Sequence, residues 1–402
     1  MLVVGSGGRE HALAWAIARS PSVTELHAAP GNPGIAAVAS CHPVRANDLA
    51  SLVSLARDLH ADLVVVGPEA PLVEGLGDAL RQRGIAVFGP RAEAARIEGS
   101  KAFAKEVMDA AGVPTARTLP VARPPCVVKA DGLAAGKGVW VCRAEDELQE
   151  ALRAAKALGQ PFHVEELLEG EEVSLFALCD GASAVGLPPV QDYKRIGDGD
   201  EGPNTGGMGS YSPVPTLADA DVEELVDAVH RPVLAELARR RAPFVGSLFA
   251  GLMLTAGGPR VLEFNCRFGD PETQSLLPRL DGDLLGTLAA AARGDLHGAT
   301  LAPSGQAAVT VVLAAHDYPE RGDAGTPIEG IAEAEASGAL VFHAGTALQD
   351  GRLVTNGGRI LGVTGLGPTL ADARDRAYAA VARIAFDGMR YRTDIAIPRD
   401  GR

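Results

Sequence analysis

Short strand-like runs alternating with helical stretches set the pattern of roughly the first ninety residues. Residues 2–4, 25–28, 63–66 and 85–88 read as strands, and residues 9–18 and 48–60 read as helices between them. Uninterrupted apolar runs such as 63–66, bounded by turns and flanked by helices, belong to a parallel sheet covered on both faces. Residues 1–97 are therefore expected to form a doubly wound parallel sheet, whose ligands bind beyond the carboxyl ends of the strands. Those ends carry Gly7–Gly8–Arg9–Glu10 after the first strand, Asn32 after the second and Gly67–Pro68–Glu69 after the third. A glycine turn that opens a helix offers backbone N–H groups to an anion, and Arg9 adds charge. Glu10 stands where a dinucleotide fingerprint needs its third glycine, and no acid closes the second strand to hold a ribose. The turn therefore suits a monophosphate better than a dinucleotide.

The pattern changes after residue 97. A helix at 102–111 stops at Gly112 and Pro114, and a proline-rich joint spans 120–125. Residues 127–139 then read as a strand, a glycine-rich loop and a second strand, with Lys129 inside the apolar run and Lys137 in the loop. The Walker A spacing fails, and no helix follows. The alternative is a flap that folds over phosphates, with Lys129 needing a nearby anion to stay charged. An acidic run at 164–174 joins two strands. Residues 191–212 show little regular pattern, and long irregular loops in compact domains usually carry function. From about residue 307, apolar runs at 309–314, 340–342 and 360–363 and a helix at 370–384 predict a small α+β domain. The expected division is 1–97, then 98–119 with 189–303, an inserted flap domain at 120–188, and 304–402. The fold class is α/β and α+β, multidomain.

The densest chemistry lies at 261–273. Residues two apart on a strand share a face, so Glu263 and Asn265 project together. A carboxylate beside an amide oxygen suits a hard cation such as Mg2+ that also takes phosphate oxygens. Arg267, Asp270 and Glu272 follow within a few residues, around turns set by Gly269 and Pro271.

Composition narrows the classes. The chain has 402 residues, 47% hydrophobic and 22% charged, with a net charge of -14, which disfavours a general nucleic-acid surface. No apolar run approaches a membrane span, and no room precedes the first strand for a signal peptide. Five scattered cysteines without a Cys-x-x-Cys pair read as reduced thiols rather than a zinc site. A cytoplasmic monomer acting on small molecules is expected. The nine histidines show no pairing and read as structural or surface residues.

Read in order, these segments resemble the ATP-grasp superfamily, and within it the glycinamide ribonucleotide synthetase family. The resemblance is carried by Gly-Gly-Arg-Glu-His-Ala at 7–12, Ala-Pro-Gly-Asn at 29–32, Gly-Pro-Glu-Ala-Pro-Leu at 67–72 and Glu-Gly-Ser-Lys at 98–101. It continues through Lys-Ala-Asp-Gly-Leu-Ala-Ala-Gly-Lys-Gly-Val at 129–139, Gly-Pro-Asn-Thr-Gly-Gly-Met-Gly at 202–209, the strand and turn at 263–273, His-Ala-Gly-Thr at 343–346 and Thr-Asn-Gly-Gly-Arg at 355–359.

The resemblance implies a ligase that joins glycine to 5-phosphoribosylamine with ATP cleaved to ADP and phosphate, using Mg2+ or Mn2+. By the same resemblance, Lys101 and Lys129 contact ATP phosphates under the loop of Gly132, Gly136, Lys137 and Gly138. Glu165, Glu166 and Leu168 would meet the adenine, Glu172 the ribose, and Glu263 with Asn265 the metal. Substrates would meet Gly7, Gly8, Arg9, Glu10, Asn32, Gly67, Pro68 and Glu69, together with Asp192, Lys194, Asn204, Thr205, Gly206, Gly207 and Met208. Arg267, Lys129 and Asp270 are the implied catalytic residues, and the turn Asp270, Pro271, Glu272 and Thr273 would lie near the reacting carboxylate. The chain departs from the family in a short 118–127 segment, a compact 144–163 segment and an acid-free strand at 245–254. An ATP-grasp ligase for another carboxylate is the nearest alternative, and a non-catalytic nucleotide-binding module the more distant one.

Overall fold

The computed structural model describes residues 1–133, 138–298 and 301–397. The first unit is a five-stranded parallel sheet in the spatial order Ser40–Cys41, His27–Pro30, Leu2–Gly5, Leu63–Val66, Ala86–Phe88. Both faces are covered, which explains the unbroken apolar runs. Leu2, Val4, Val64 and Val66 pack with Leu52 on one side, while Val3 and Val65 pack with Leu13 and Ile17 on the other. Each such fully buried side chain contributes about 1.5–3 kcal/mol.

Two details differ from expectation. The second strand begins at His27 rather than at residue 25, because its ladder starts where His27 pairs with Leu2 and Glu25 stays exposed. The edge strand Ser40–Cys41 had no signal, being two exposed residues.

The inserted flap is a three-stranded antiparallel sheet with Cys126–Ala130 between Val139–Cys142 and Phe162–Glu166, covered by the helix Glu145–Ala157. Gly136 and Lys137 lie outside the described residues. A four-stranded antiparallel sheet follows, in which Val245–Thr255 lies between Glu171–Asp180 and Gly258–Asn265.

The C-terminal unit reaches back into the middle of the chain. Its five-stranded sheet runs Gln191–Asp192, Gly209–Ser212, Ala307–Ala314, Arg359–Gly367, Leu340–His343. The 191–212 segment is therefore not irregular. Its short strands take their hydrogen bonds from the C-terminal sheet and from each other (Arg195–Gly197 with Glu201–Asn204), at lengths too short for periodicity to show. This pairing holds Asp192, Lys194 and Thr205 at the junction of the central and C-terminal units. The closing helix is Leu370–Val381, capped at Thr369 by a bond from the Asp372 N–H, and it packs on Arg359–Gly367.

Candidate active site

A cleft of about 380 Å3 opens where the carboxyl end of the parallel sheet, the flap and the central antiparallel sheet meet. One half is cationic. Lys129 stands directly opposite His163 in the flap ladder, and Glu165 lies two residues along the same face. Lys129 Nζ meets Glu165 Oε2 at 2.8 Å, and His163 Nε2 lies 3.0 Å from Oε1. Lys105, on the helix Lys101–Ala111, adds Nζ at 2.9 Å from Oε1. Burial would raise the Glu165 carboxyl, but the His163 hydrogen bond and the Lys129 and Lys105 charges outweigh it and hold it down to about 2. Lys129 also donates to the Leu262 carbonyl at 2.9 Å, tying the flap to the strand that carries Glu263.

The flap is fastened at a second point. Asp131 accepts from the Lys101 N–H at 2.6 Å, from the Ala102 N–H at 3.3 Å and from the Ser100 hydroxyl at 3.2 Å. It therefore supplies anionic capping to the start of the Lys101 helix. Lys101 Nζ reaches the Gly132 carbonyl at 3.3 Å.

Glu263 and Asn265 both line the cleft from one face of the strand Gly258–Asn265. Opposite Glu263 stands Gly251, so no side chain from the neighbouring strand crowds the carboxylate. Asn265 Oδ1 accepts from Arg267 Nη2 at 3.1 Å. This hard-oxygen pair fits a divalent cation. Among the described residues no group of three or more His, Cys, Asp or Glu side chains could hold a metal, so a cation here would complete its shell with nucleotide phosphates and water.

The other half of the cleft is a network of charges, some buried and some half-buried. Arg267 pairs with Glu98 at 2.9 Å and Glu69 at 3.4 Å; those acids raise its pKa despite the opposing effect of burial. Arg359, from the C-terminal sheet, lies 3.2 Å from Asp270 Oδ2 and donates to the carbonyls of Asp270 at 2.7 Å and Gly206 at 2.6 Å. Lys194 sits between Asp192 at 2.8 Å and Glu172 at 2.7 Å. Glu272 is 4% exposed. Burial, then the Asp192 charge, push its carboxyl up to about 7.

Of the residues singled out from sequence, Arg9, Pro68, Glu69, Lys101, Lys129, Gly132, Gly138, Glu165, Asp192, Lys194, Thr205, Gly206, Glu263, Asn265, Arg267, Asp270 and Glu272 converge on this cleft. Others do different work. Glu10 fills the glycine turn itself: its carboxylate accepts the Gly7 N–H at 2.6 Å and the Arg9 Nε at 2.5 Å, and a side chain at Gly67 would collide with it. The turn's own acid therefore takes the N–H expected to face an anion. Asn32 spends its amide on Ser6, His343 and Ile35, joining the N-terminal and C-terminal units. Glu166 is held by Arg117 at 2.8 Å and Arg260 at 3.4 Å, and the Glu165 carboxylate is also engaged. Met208 packs in a small core with Ile196 and Ala314, and Thr273 donates to the Gly269 carbonyl at 2.5 Å. Asn204 lines a separate cleft beside the flap.

Four contributors were missed: Glu98, Lys105, His163 and Arg359. His163 corrects the view that the histidines are unpaired, as do His27 with His42 and His11 with the His343 N–H. The spacing of Lys129 and Glu165 gives no hint of Lys105, and Arg359 is brought in only by the C-terminal sheet.

A flap sheet over a phosphate-type lysine cluster, with an acid–amide pair on the adjoining antiparallel strand, defines an ATP-grasp protein. The comparisons agree. Family models for phosphoribosylglycinamide synthetase match the N domain over 1–98, the ATP-grasp (A) domain over 99–273 and the C domain over 308–398. The chain is 53% identical to the phosphoribosylamine–glycine ligase of Streptomyces coelicolor, covering 100% of this chain and 99% of that one. It is 48% identical to the enzyme of the same name from Mesorhizobium japonicum, covering 98% and 97%. A crystal structure of phosphoribosylamine–glycine ligase from Thermotoga maritima superposes with a TM-score of 0.85 at 36% identity, over 98% of this chain and 99% of that one. The biotin carboxylase domain of Hydrogenobacter thermophilus 2-oxoglutarate carboxylase, solved with MgADP and bicarbonate, shares the fold with a TM-score of 0.73 at 18% identity, over 97% and 91%. The chain belongs to the phosphoribosylglycinamide synthetase family.

Proposed function

We propose that the chain, an ATP-dependent carbon–nitrogen ligase, joins glycine to 5-phosphoribosylamine with ATP cleaved to ADP and phosphate, through a glycyl phosphate, and so makes glycinamide ribonucleotide for purine biosynthesis. The observation that carries this reading is one cleft with two unlike halves. Lys101, Lys105 and Lys129 lie with Glu263 and Asn265 on the nucleotide side, and Arg267, Asp270, Glu272 and Lys194 on the other.

The chemistry asks for positioning and charge neutralisation rather than a covalent nucleophile. Lys101 and Lys129 hold the phosphates, and Lys105 with Glu165 keeps Lys129 in place. Glu263 and Asn265 would hold the Mg2+ or Mn2+, which would supply neutralisation of phosphate charge. A glycine carboxylate oxygen attacks the γ-phosphorus as the bond to the bridging oxygen breaks, releasing ADP. The amine nitrogen then attacks the acyl carbon, phosphate leaves with that carboxylate oxygen, and the amine gives up a proton. Arg9, Pro68 and Glu69, at the strand ends of the first sheet, face the amine substrate. Five free cysteines support a reducing, cytoplasmic setting, and no helix among the described residues is long and apolar enough to cross a membrane. We take the working unit to be a monomer acting on small molecules.

Glycine labelled with oxygen-18 in its carboxylate tests the route. One labelled oxygen should appear in each phosphate released. Unlabelled phosphate under turnover would remove the acyl phosphate from the scheme.

A further inference from the structure

The acidic group around Lys194 has more negative charge than its one lysine balances. Lys194 Nζ is shared by Asp192 and Glu172 at 2.8 and 2.7 Å. The other cations nearby are already engaged: Arg267 by Glu98 and Glu69, and Arg359 by Asp270. Glu272 is left over. Its carboxyl is buried, lines the cleft, and has only its own backbone amide as a hydrogen-bond partner among the described residues. Gly269 keeps this arrangement open, because any side chain there would strike the Glu272 carboxyl.

A buried, unpaired carboxylate is costly unless a cation joins it. The nucleotide and the sugar phosphate bring negative charge to the cleft, and the metal pair lies on a different strand. The amino acid is the substrate that carries a compact cation. We propose that Asp192 and Glu272 hold the α-ammonium group of glycine, so that the site selects an amino acid over a carboxylic acid without the amine. This rests on the ligase reading above. It divides the cleft by charge: lysines for the nucleotide, and Asp192 with Glu272 for the amino end of the acyl donor.

Steady-state kinetics of Glu272→Gln and Asp192→Asn, with each substrate varied, test the assignment. Each variant should raise the KM for glycine at least about tenfold, the smallest effect expected of a lost charge-assisted hydrogen bond. The KM values for ATP and phosphoribosylamine should stay within about twofold, given their separate binding sites. A fall in kcat with the glycine KM unchanged would overturn the proposal, because these carboxylates would then act on the reacting atoms or the fold. A wild-type measurement covers variants that do not fold. Aminomethylphosphonate should compete with glycine at least about tenfold better than hydroxymethylphosphonate, which lacks the ammonium group. Equal inhibition would overturn the proposal. If ADP release by the wild type does not require glycine at all, the ligase reading itself fails; if it requires glycine but the two phosphonates bind alike, only the subsite fails.

Discussion

Lys129 and Glu165 meet at 2.8 Å on one face of the flap sheet, and Lys105 and His163 close on the same carboxylate. The anion that Lys129 needs inside an apolar strand is therefore built into the protein before any nucleotide arrives. Glu165 acts as a hub that sets two lysines side by side.

Breaking the hub has a signed pH consequence. The folded Glu165 carboxyl titrates at about 2, below its ordinary value of 4.5. Its contribution is therefore fully present above the unfolded value and is lost as pH falls from about 4.5 toward 2. The depression corresponds to about 3 kcal/mol. Wild type should exceed Glu165→Gln in unfolding free energy at pH 6, and the gap should narrow as the pH drops through that window. A gap that stays constant in urea titrations across the range would contradict the hub.

The Asp131 cap couples flap and helix. Asp131→Ala removes an anionic cap from the helix Lys101–Ala111 and should cost about 1 kcal/mol of stability. The KM for ATP should rise with it, because Lys101 loses its register with the flap. Unfolding curves and ATP kinetics on one preparation check both effects; a stability loss with the ATP KM unmoved would separate the cap from nucleotide binding.

The proposed metal pair, Glu263 with Asn265, gives a third expectation. Glu263→Gln should fold normally yet lose at least about tenfold in turnover at limiting Mg2+, about 1.4 kcal/mol on the barrier. Full activity in that metal titration would mean that the cation binds elsewhere.

Much of this site was legible because its chemistry is local. Glu263 and Asn265 share a strand face by spacing alone, and Lys129 stood out as a charge in an apolar run. The parallel sheet was legible for the same reason, since burial on both faces leaves unbroken runs such as 63–66. What sequence could not show is pairing across distance. Lys105 sits on a helix as an ordinary polar position until packing brings it to Glu165, and Arg359 reaches Asp270 across 89 residues of chain. Glu10 shows the same limit: its position breaks the dinucleotide fingerprint by spacing alone, but its carboxylate's bond from the Gly7 N–H appears only in the folded chain. The two-residue strand Gln191–Asp192 had no periodicity to read at all.

Arg9 reaches the cleft from the first sheet's glycine turn, beside Pro68 and Glu69, and also binds Glu10 and the Phe268 carbonyl at 3.1 Å. Arg9→Ala should raise the KM for phosphoribosylamine and leave those for ATP and glycine nearly unchanged. Varying each substrate in turn checks it, and a rise confined to ATP would mean that the nucleotide lies at the first sheet.

The most direct measurement is phosphate release with each component omitted in turn. Release should need ATP, a divalent cation, glycine and phosphoribosylamine together, and bicarbonate should not replace glycine. Sustained release with bicarbonate in place of glycine, or with no carboxylate substrate, would contradict the account.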